Sequence, residues 1–248
     1  AEGYKSEKVI KTAHELYSGF AKVLVDDQII DRFYAGEQIF LSDAVNEKTE
    51  LYSNQFVMLV SSSNEKKTAI TRFIDTLTPF KRIVERLEED GWGIAPKNKE
   101  QNFALELLLD PDVPIVSLIG KAGSGKTLCA LAAGLQQVMG EESPYNRMIV
   151  SRPIMPMGKD LGYLPGTMEE KMAPWLAPIQ DNLRFLFGDD NLMLTQYMQK
   201  KIIEIEALTY IRGRSIQKAY IIIDECQNLT RHEIKTILTR VGHGSKIV

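Results

Sequence analysis

The sequence is poor in cysteine and histidine and lacks any long apolar run. Its 248 residues include 2 cysteines and 3 histidines, too few for a disulfide framework or a histidine-rich metal centre. Cys129 and Cys226 fall in segments that read as a buried helix and a strand end, and no secretory leader precedes them. Both therefore read as reduced thiols, which points to the cytoplasm. His14, His232 and His243 are scattered without metal-ligand spacing. The longest apolar runs, such as Ile115 to Ile119 and Tyr220 to Ile223, are far shorter than the roughly 20 residues of a membrane span. No membrane anchor is expected. There is no excess of positive charge either. With 30 basic and 33 acidic residues the net charge is −3, so any nucleic-acid binding must come from a local patch.

With 44% hydrophobic residues, the chain can bury one large core, or a core plus a small second domain. Residues 1–80 read as a small β-rich domain. Short runs at Phe20–Val25, Glu37–Leu41 and Gln55–Val60 are separated by turn residues such as Gly36 and Asn54. The segment from Thr68 to Asp90 carries Ile70, Phe73, Ile74 and Leu77, then Ile83, Val84 and Leu87, at helical spacing around Pro79. It reads as a helical connector, with 81–98 joining the β-rich part to a second domain over 99–248. From Trp92 onward helix and strand alternate, the signature of a parallel sheet with crossover helices. Helices are expected at Glu100–Leu109, Thr127–Met139, Thr167–Phe187, Leu192–Ile205 and Thr230–Arg240. Strands are expected at Ile115–Ile119, Met148–Ser151 and Ala219–Ile223, with another starting at Lys246. The proline- and glycine-rich run from Arg152 to Gly166 reads as a functional loop.

The run Gly120-Lys121-Ala122-Gly123-Ser124-Gly125-Lys126-Thr127 fits G-x-x-x-x-G-K-[ST] between a strand and a helix, the context this pattern requires. Glycines at 120, 123 and 125 free the backbone to aim successive N–H groups at phosphate oxygens, while the helix that follows presents its positive end. Lys126 is placed to neutralise the β- and γ-phosphates, and the Thr127 hydroxyl to ligate magnesium. The binding segment is taken to run from Gly120 through Leu128. The bland alternative is a glycine turn that caps a helix.

Downstream, Ile221-Ile222-Ile223-Asp224-Glu225 ends a buried strand with two acids, at the carboxyl end where α/β sheets open on their ligand crevice. Asp224 suits a magnesium shell, and Glu225 suits polarising an attacking water. Alone, such a string also fits a helix cap; together with the loop it reads as one site.

Two further features leave alternatives open. Asn98 and Gln101 fit a helix N-cap with its third residue, and an amide such as Gln101 can equally pair with adenine. Arg152, Lys159, Tyr163, Arg212 and Arg214 put cations and an aromatic near one sheet edge, where they could hold a single-stranded nucleic acid. They could equally pair with acids or pack in the core.

With these residues in view, Trp92 to Val248 resembles the phosphate-starvation-inducible PhoH-like P-loop ATPase family. Beyond the phosphate loop, the likeness rests on Trp92-Gly93-Ile94, on Asn98 with Glu100-Gln101, and on Ser151-Arg152-Pro153 with Met157-Gly158-Lys159-Asp160. Gly162-Tyr163-Leu164-Pro165-Gly166 and Asp224-Glu225-Cys226-Gln227-Asn228-Leu229-Thr230 complete it. The first ninety residues resemble the β linker that joins a PIN nuclease domain to the ATPase in longer members. The resemblance implies a RecA-like core, Gln101 as adenine contact and Gln227 as γ-phosphate sensor. It implies ATP hydrolysis with magnesium, coupled to unwinding or remodelling of RNA or single-stranded nucleic acid, by a homo-oligomer that could be a hexameric ring. A nucleotide-dependent assembly or regulatory module for an attached PIN ribonuclease is the alternative. Cys226 stands where alanine is more usual, a small-for-small change. Val248 falls before the place of the family's sensor motif, last core strand and transition-state arginine, so an exposed apolar edge is expected there.

Overall fold

The structure, a computed structural model, describes residues 19–44, 50–83, 92, 94–140, 143–153, 168–188, 190–208 and 215–248. The chain divides into two compact units, Ala1–Val84 and Glu85–Val248.

The N-terminal unit contains β1 (Phe20–Val25), α1 (Asp27–Tyr34), α2 (Leu41–Ala44), β2 (Phe56–Ser61), β3 (Thr68–Arg72) and β4 (Lys81–Arg82). The four strands form one sheet in the order β1-β2-β3-β4. β1 runs parallel to β2, and the other neighbours are antiparallel. Val23, Val25, Val57 and Leu59 share a core with Ile30 and Phe33 of α1, each fully buried aliphatic contributing roughly 1.5–3 kcal/mol. Two expectations fail here. Glu37–Leu41 is not a strand: the Asp43 carboxylate accepts the Phe40 N–H at 2.9 Å and the chain turns into α2 instead. Thr68–Arg72 is not helical, because its β-branched residues pair antiparallel with β2, Thr68 opposite Val60 and Arg72 opposite Phe56. Cross-strand packing outweighs the apparent helical period.

The C-terminal unit contains α3 (Lys99–Leu108), α4 (Lys126–Met139), β5 (Arg147–Arg152), α5 (Met168–Phe187), α6 (Asn191–Gln199), β6 (Ile203–Ala207), β7 (Ala219–Ile223), α7 (Arg231–Leu238) and β8 (Lys246–Ile247). Its sheet has the order β6-β5-β7-β8, and every pair is parallel. Alternation along the strands divides their side chains between two faces. Met148, Val150, Tyr220 and Ile222 pack with Leu131, Leu135, Ile179, Leu183 and Leu194 from α4, α5 and α6. Ile149, Ile221, Ile223 and Ile247 pack with Ile237 of α7. Buried on both faces, β7 is apolar throughout, as central parallel strands are. This is the α/β P-loop fold, a parallel sheet with flanking helices.

Two boundaries differ from expectation. Helix α6 stops at Gln199, and Ile203–Ala207 forms β6 beside β5, so the strict apolar–acid alternation of Ile203-Glu204-Ile205-Glu206 belongs to an edge strand. The Ile115–Ile119 run makes a single parallel bridge, Ile115 with Ile247, and the Val116 N–H donates to Ile247 O at 3.0 Å. Beyond that its backbone has no strand partner among the described residues, and Ile119 is 94% exposed. Among the described residues no helix is long and apolar enough to cross a membrane.

Candidate functional site

The phosphate loop joins Ile119 to α4, and its backbone explains its glycines. Gly123 and Gly125 have φ of 76° and 83°, a left-handed region costly to residues with a Cβ. Gly120 stays outside that region; there a Cβ would come within 3.2 Å of Ser124 Oγ. The Lys126 amine folds back over the loop and donates to the carbonyls of Gly120 and Lys121, each at 2.9 Å. These bonds hold the amine over the glycine-rich loop.

The acid pair stands at the end of β7. The Thr127 hydroxyl donates to Asp224 Oδ1 at 2.8 Å, so the residue after the loop lysine touches the first acid directly. The backbone N–H of Asp224 donates to Ser151 O at 2.9 Å, which ties the ends of β5 and β7 together. Glu225 lies in left-handed space at φ 56°, an uncommon and costly conformation for this residue type. Gln227 Nε2 donates to Glu225 Oε2, so the proposed sensor and the proposed water-activating acid are in contact. Beyond them, Thr230 caps α7 in a complete capping box with Glu233, which fixes where the chain leaves the site.

Gln101 also meets the loop. Asn98 caps α3, its side chain accepting from the Gln101 N–H at 2.8 Å. The Gln101 amide donates through Nε2 to Ser124 O at 3.1 Å and accepts from the Lys97 N–H at 2.7 Å. The cap is therefore real, but the Gln101 side chain bridges to the loop rather than closing a capping box on Asn98.

A cleft of about 810 Å³ opens between Ile115–Gly120 and the end of β7. Lys126, Thr127, Asp224, Glu225 and Gln227 gather at its polar end, and Ile234 and Leu238 of α7 line its apolar body. Gln101 is not among the lining residues.

Of the nucleic-acid candidates, Lys159, Tyr163, Arg212 and Arg214 lie outside the described residues. Arg152 is described, and its guanidinium faces the acid pair, 3.6 Å from Asp224 and 3.9 Å from Glu225. Its pairing was open from the sequence. The pairing follows from β5 and β7 being parallel neighbours, which the local sequence around Arg152 does not mark.

A profile of the family described as PhoH-like protein matches residues 93–248. The chain belongs to the PhoH-like family. It is 48% identical over 253 residues to Protein PhoH2 of Bacillus subtilis (strain 168), covering 100% of this chain and 55% of that protein. Protein PhoH2 of Thermobispora bispora is 34% identical over 250 residues, covering 100% of this chain and 53% of that protein. A PhoH-like protein of Mycobacterium tuberculosis (strain ATCC 25618 / H37Rv) is 35% identical over 199 residues, covering 80% and 52%. The chain thus spans about half the length of these PhoH-like relatives. The family match takes in every residue of the phosphate loop and the acid pair.

Proposed function

We propose that this PhoH-like chain binds ATP with magnesium and hydrolyses it, and that hydrolysis drives remodelling or unwinding of RNA or another single-stranded nucleic acid. The observation that carries the reading is the 2.8 Å bond from Thr127 to Asp224, which brings the loop and the acid pair into one cleft. The donor set suits a hard dication: a hydroxyl and a carboxylate in contact, with a second carboxylate beside them. Bound there, magnesium would supply charge neutralisation across the β- and γ-phosphates.

The protein's own groups divide the remaining work. The loop amides and the Lys126 amine bind phosphate, the amine exchanging two carbonyl partners for anionic oxygens. Thr127 and Asp224 would hold the metal. Glu225 would orient and deprotonate the attacking water, and Gln227, already bonded to it, would sense the γ-phosphate. Gln101 would read the adenine edge by exchanging its present partners for the base.

The deciding experiment is ATP turnover by the full-length protein with a panel of RNA and DNA strands, wild type beside Lys126→Ala. The expected result is turnover raised by one class of strand and abolished by the substitution. Turnover indifferent to every strand would remove the motor reading.

One observation favours a second reading. Nearly half of each relative lies outside the matched region, which leaves room for an attached domain such as a PIN ribonuclease controlled by nucleotide-dependent assembly into a homo-oligomer, a hexamer included. Glu225→Gln would then trap nucleotide and fix one oligomer size. Identical size with and without ATP would count against it.

A further inference from the structure

Strands β5 and β7 run side by side with Ser151 opposite Ile223, and the Asp224 N–H closes the pairing on Ser151 O. The next residue on each strand is therefore forced into proximity at the carboxyl edge of the sheet: Arg152 on one, Asp224 on the other. The Arg152 guanidinium spans both acids, Nη1 lying 3.6 Å from Asp224 Oδ2 and Nη2 lying 3.9 Å from Glu225 Oε1. The remaining oxygens take neutral donors, Thr127 Oγ1 on Asp224 and Gln227 Nε2 on Glu225. Each carboxylate thus has one oxygen fixed by a hydrogen bond and the other facing the same cation. Among the described residues, Arg152 is the cation within ion-pair distance of either acid.

The distances decide what kind of contact this is. A hydrogen-bonded guanidinium–carboxylate fork closes to about 2.7–2.9 Å, and both contacts here are clearly longer. The Arg152 side chain is 25% exposed and that of Asp224 12%. Two adjacent acids in such a part-buried place repel each other and need a compensating charge. Arg152 supplies it loosely, through space, without committing its donors. A contact of this kind holds the acids apart and ready, and it yields to a denser charge.

We propose that Arg152 is the positioning residue of the acid pair and the competitor that metal loading must overcome, so that it sets the magnesium requirement for nucleotide binding. The proposal rests on the ATP reading above and deepens it. In the unloaded state Arg152 faces both acids and offsets part of their combined charge. In the loaded state Arg152 gives up Asp224 and keeps Glu225, which stays aligned between Arg152 and Gln227. Its site is the acid pair, and nucleic-acid contact is not its main role.

The test is a titration of N-methylanthraniloyl-ADP binding to the full chain at graded magnesium, repeated with manganese detected by paramagnetic resonance. Arg152→Gln and Arg152→Met both remove the charge, and Arg152→Lys keeps it. Thermal melts identify which variants fold, and either neutral variant suffices. The magnesium midpoint should fall about fivefold in the neutral variants, the scale of a partly exposed ion pair, and stay near wild type in Arg152→Lys. Metal-free affinity should not change, because Arg152 does not hold the nucleotide itself. A midpoint unchanged or raised in the neutral variants overturns the proposal. So does a loss of RNA affinity with the midpoint unmoved. Absence of nucleotide binding in the wild type would appear before any variant is compared, and would overturn the ATP reading together with this one.

Discussion

The Thr127 hydroxyl donates to Asp224 Oδ1 at 2.8 Å, between residues 97 apart in sequence. The contact joins the start of α4 to the end of β7 and fixes the geometry of the pair proposed to hold magnesium. Thr127→Ala removes the hydroxyl. Asp224→Asn keeps an oxygen for that hydroxyl but discards the charge. Each is expected to lower kcat/KM for magnesium–ATP by about 10²–10³-fold, the usual effect of deleting one preorganised catalytic contact, while metal-free ADP binding persists. Steady-state turnover with an ADP titration in chelator checks this; equal loss of both activities would mean the loop itself had collapsed.

Gln101 reaches Ser124 O through Nε2 while Asn98 independently caps α3. Because capping belongs to Asn98, Gln101→Ala should spare the helix and erase base preference. A bidentate amide–adenine pair is worth about 1–3 kcal/mol of discrimination, so ATP and GTP should converge by roughly that amount. Competition binding with the two nucleotides reads it directly. A uniform weakening of both would assign Gln101 to supporting the loop alone.

How much of this was legible beforehand follows from where each constraint lives. The loop and the acid pair are local in sequence: Gly123 and Gly125 need left-handed φ, and Asp224 and Glu225 need only to follow an apolar strand. Arg152 carries no such mark, since its role depends on β5 lying next to β7, a fact of topology. Strand β6 was hidden by its neighbour. The helical run of α6 ends at Gln199, and Lys201 in left-handed space at φ 57° turns the chain, a break that lysine does not advertise. The alternation from Ile203 to Glu206 is the strand signal, and the preceding helical run masks it. Ile115–Ile119 shows the converse: an apolar, β-branched run becomes a strand only with partners, and among the described residues only Ile115 of this run bridges another strand.

Gly134 of α4 lies against the sheet so closely that an added Cβ would meet Met148 Sδ at 2.6 Å and Tyr220 Cδ1 at 2.9 Å. Helix propensity alone would make Gly134→Ala stabilising, by roughly 0.8–1 kcal/mol. Overpacking a filled core costs about 1–3 kcal/mol, and Met148 and Tyr220 are both fully buried. Overpacking should win. A lower denaturation midpoint in urea is expected for Gly134→Ala, and a raised midpoint would show that the Met148 thioether moves aside freely.

Lys246 is fully buried, and its amine donates to Leu107 O at 2.6 Å and Asp110 O at 2.7 Å. It thereby anchors the C-terminal end of α3 to β8, the helix whose other end carries Asn98 and Gln101. Lys246→Met fills the space but leaves carbonyls without these donors, a loss of about 1–3 kcal/mol for an unsatisfied buried group. The thermal midpoint should fall, and amide hydrogen exchange should quicken in α3 before α4. Exchange that stays uniform across the two helices would separate Lys246 from the placement of α3.

Tyr145 and Tyr220 meet edge to face, ring centroids 5.6 Å apart, and the Tyr220 hydroxyl has no hydrogen-bond partner among the described residues. Burial, reinforced by nearby Asp110, pushes the Tyr145 phenol up to about 12. Burial also raises Tyr220 well above its ordinary value, and Tyr145 adds to the effect. In the unfolded chain both ionise at about pH 10, so the folded state binds more protons than the unfolded one above that pH. The stabilisation is therefore complete below pH about 10, and it drains away as pH rises toward the folded value of about 12. Tyr145→Phe keeps the ring and deletes one of the two titrating groups, so its urea midpoint should decline less steeply across that interval. Parallel decline in wild type and variant would show that Tyr145 is not the group whose ionisation opens this core.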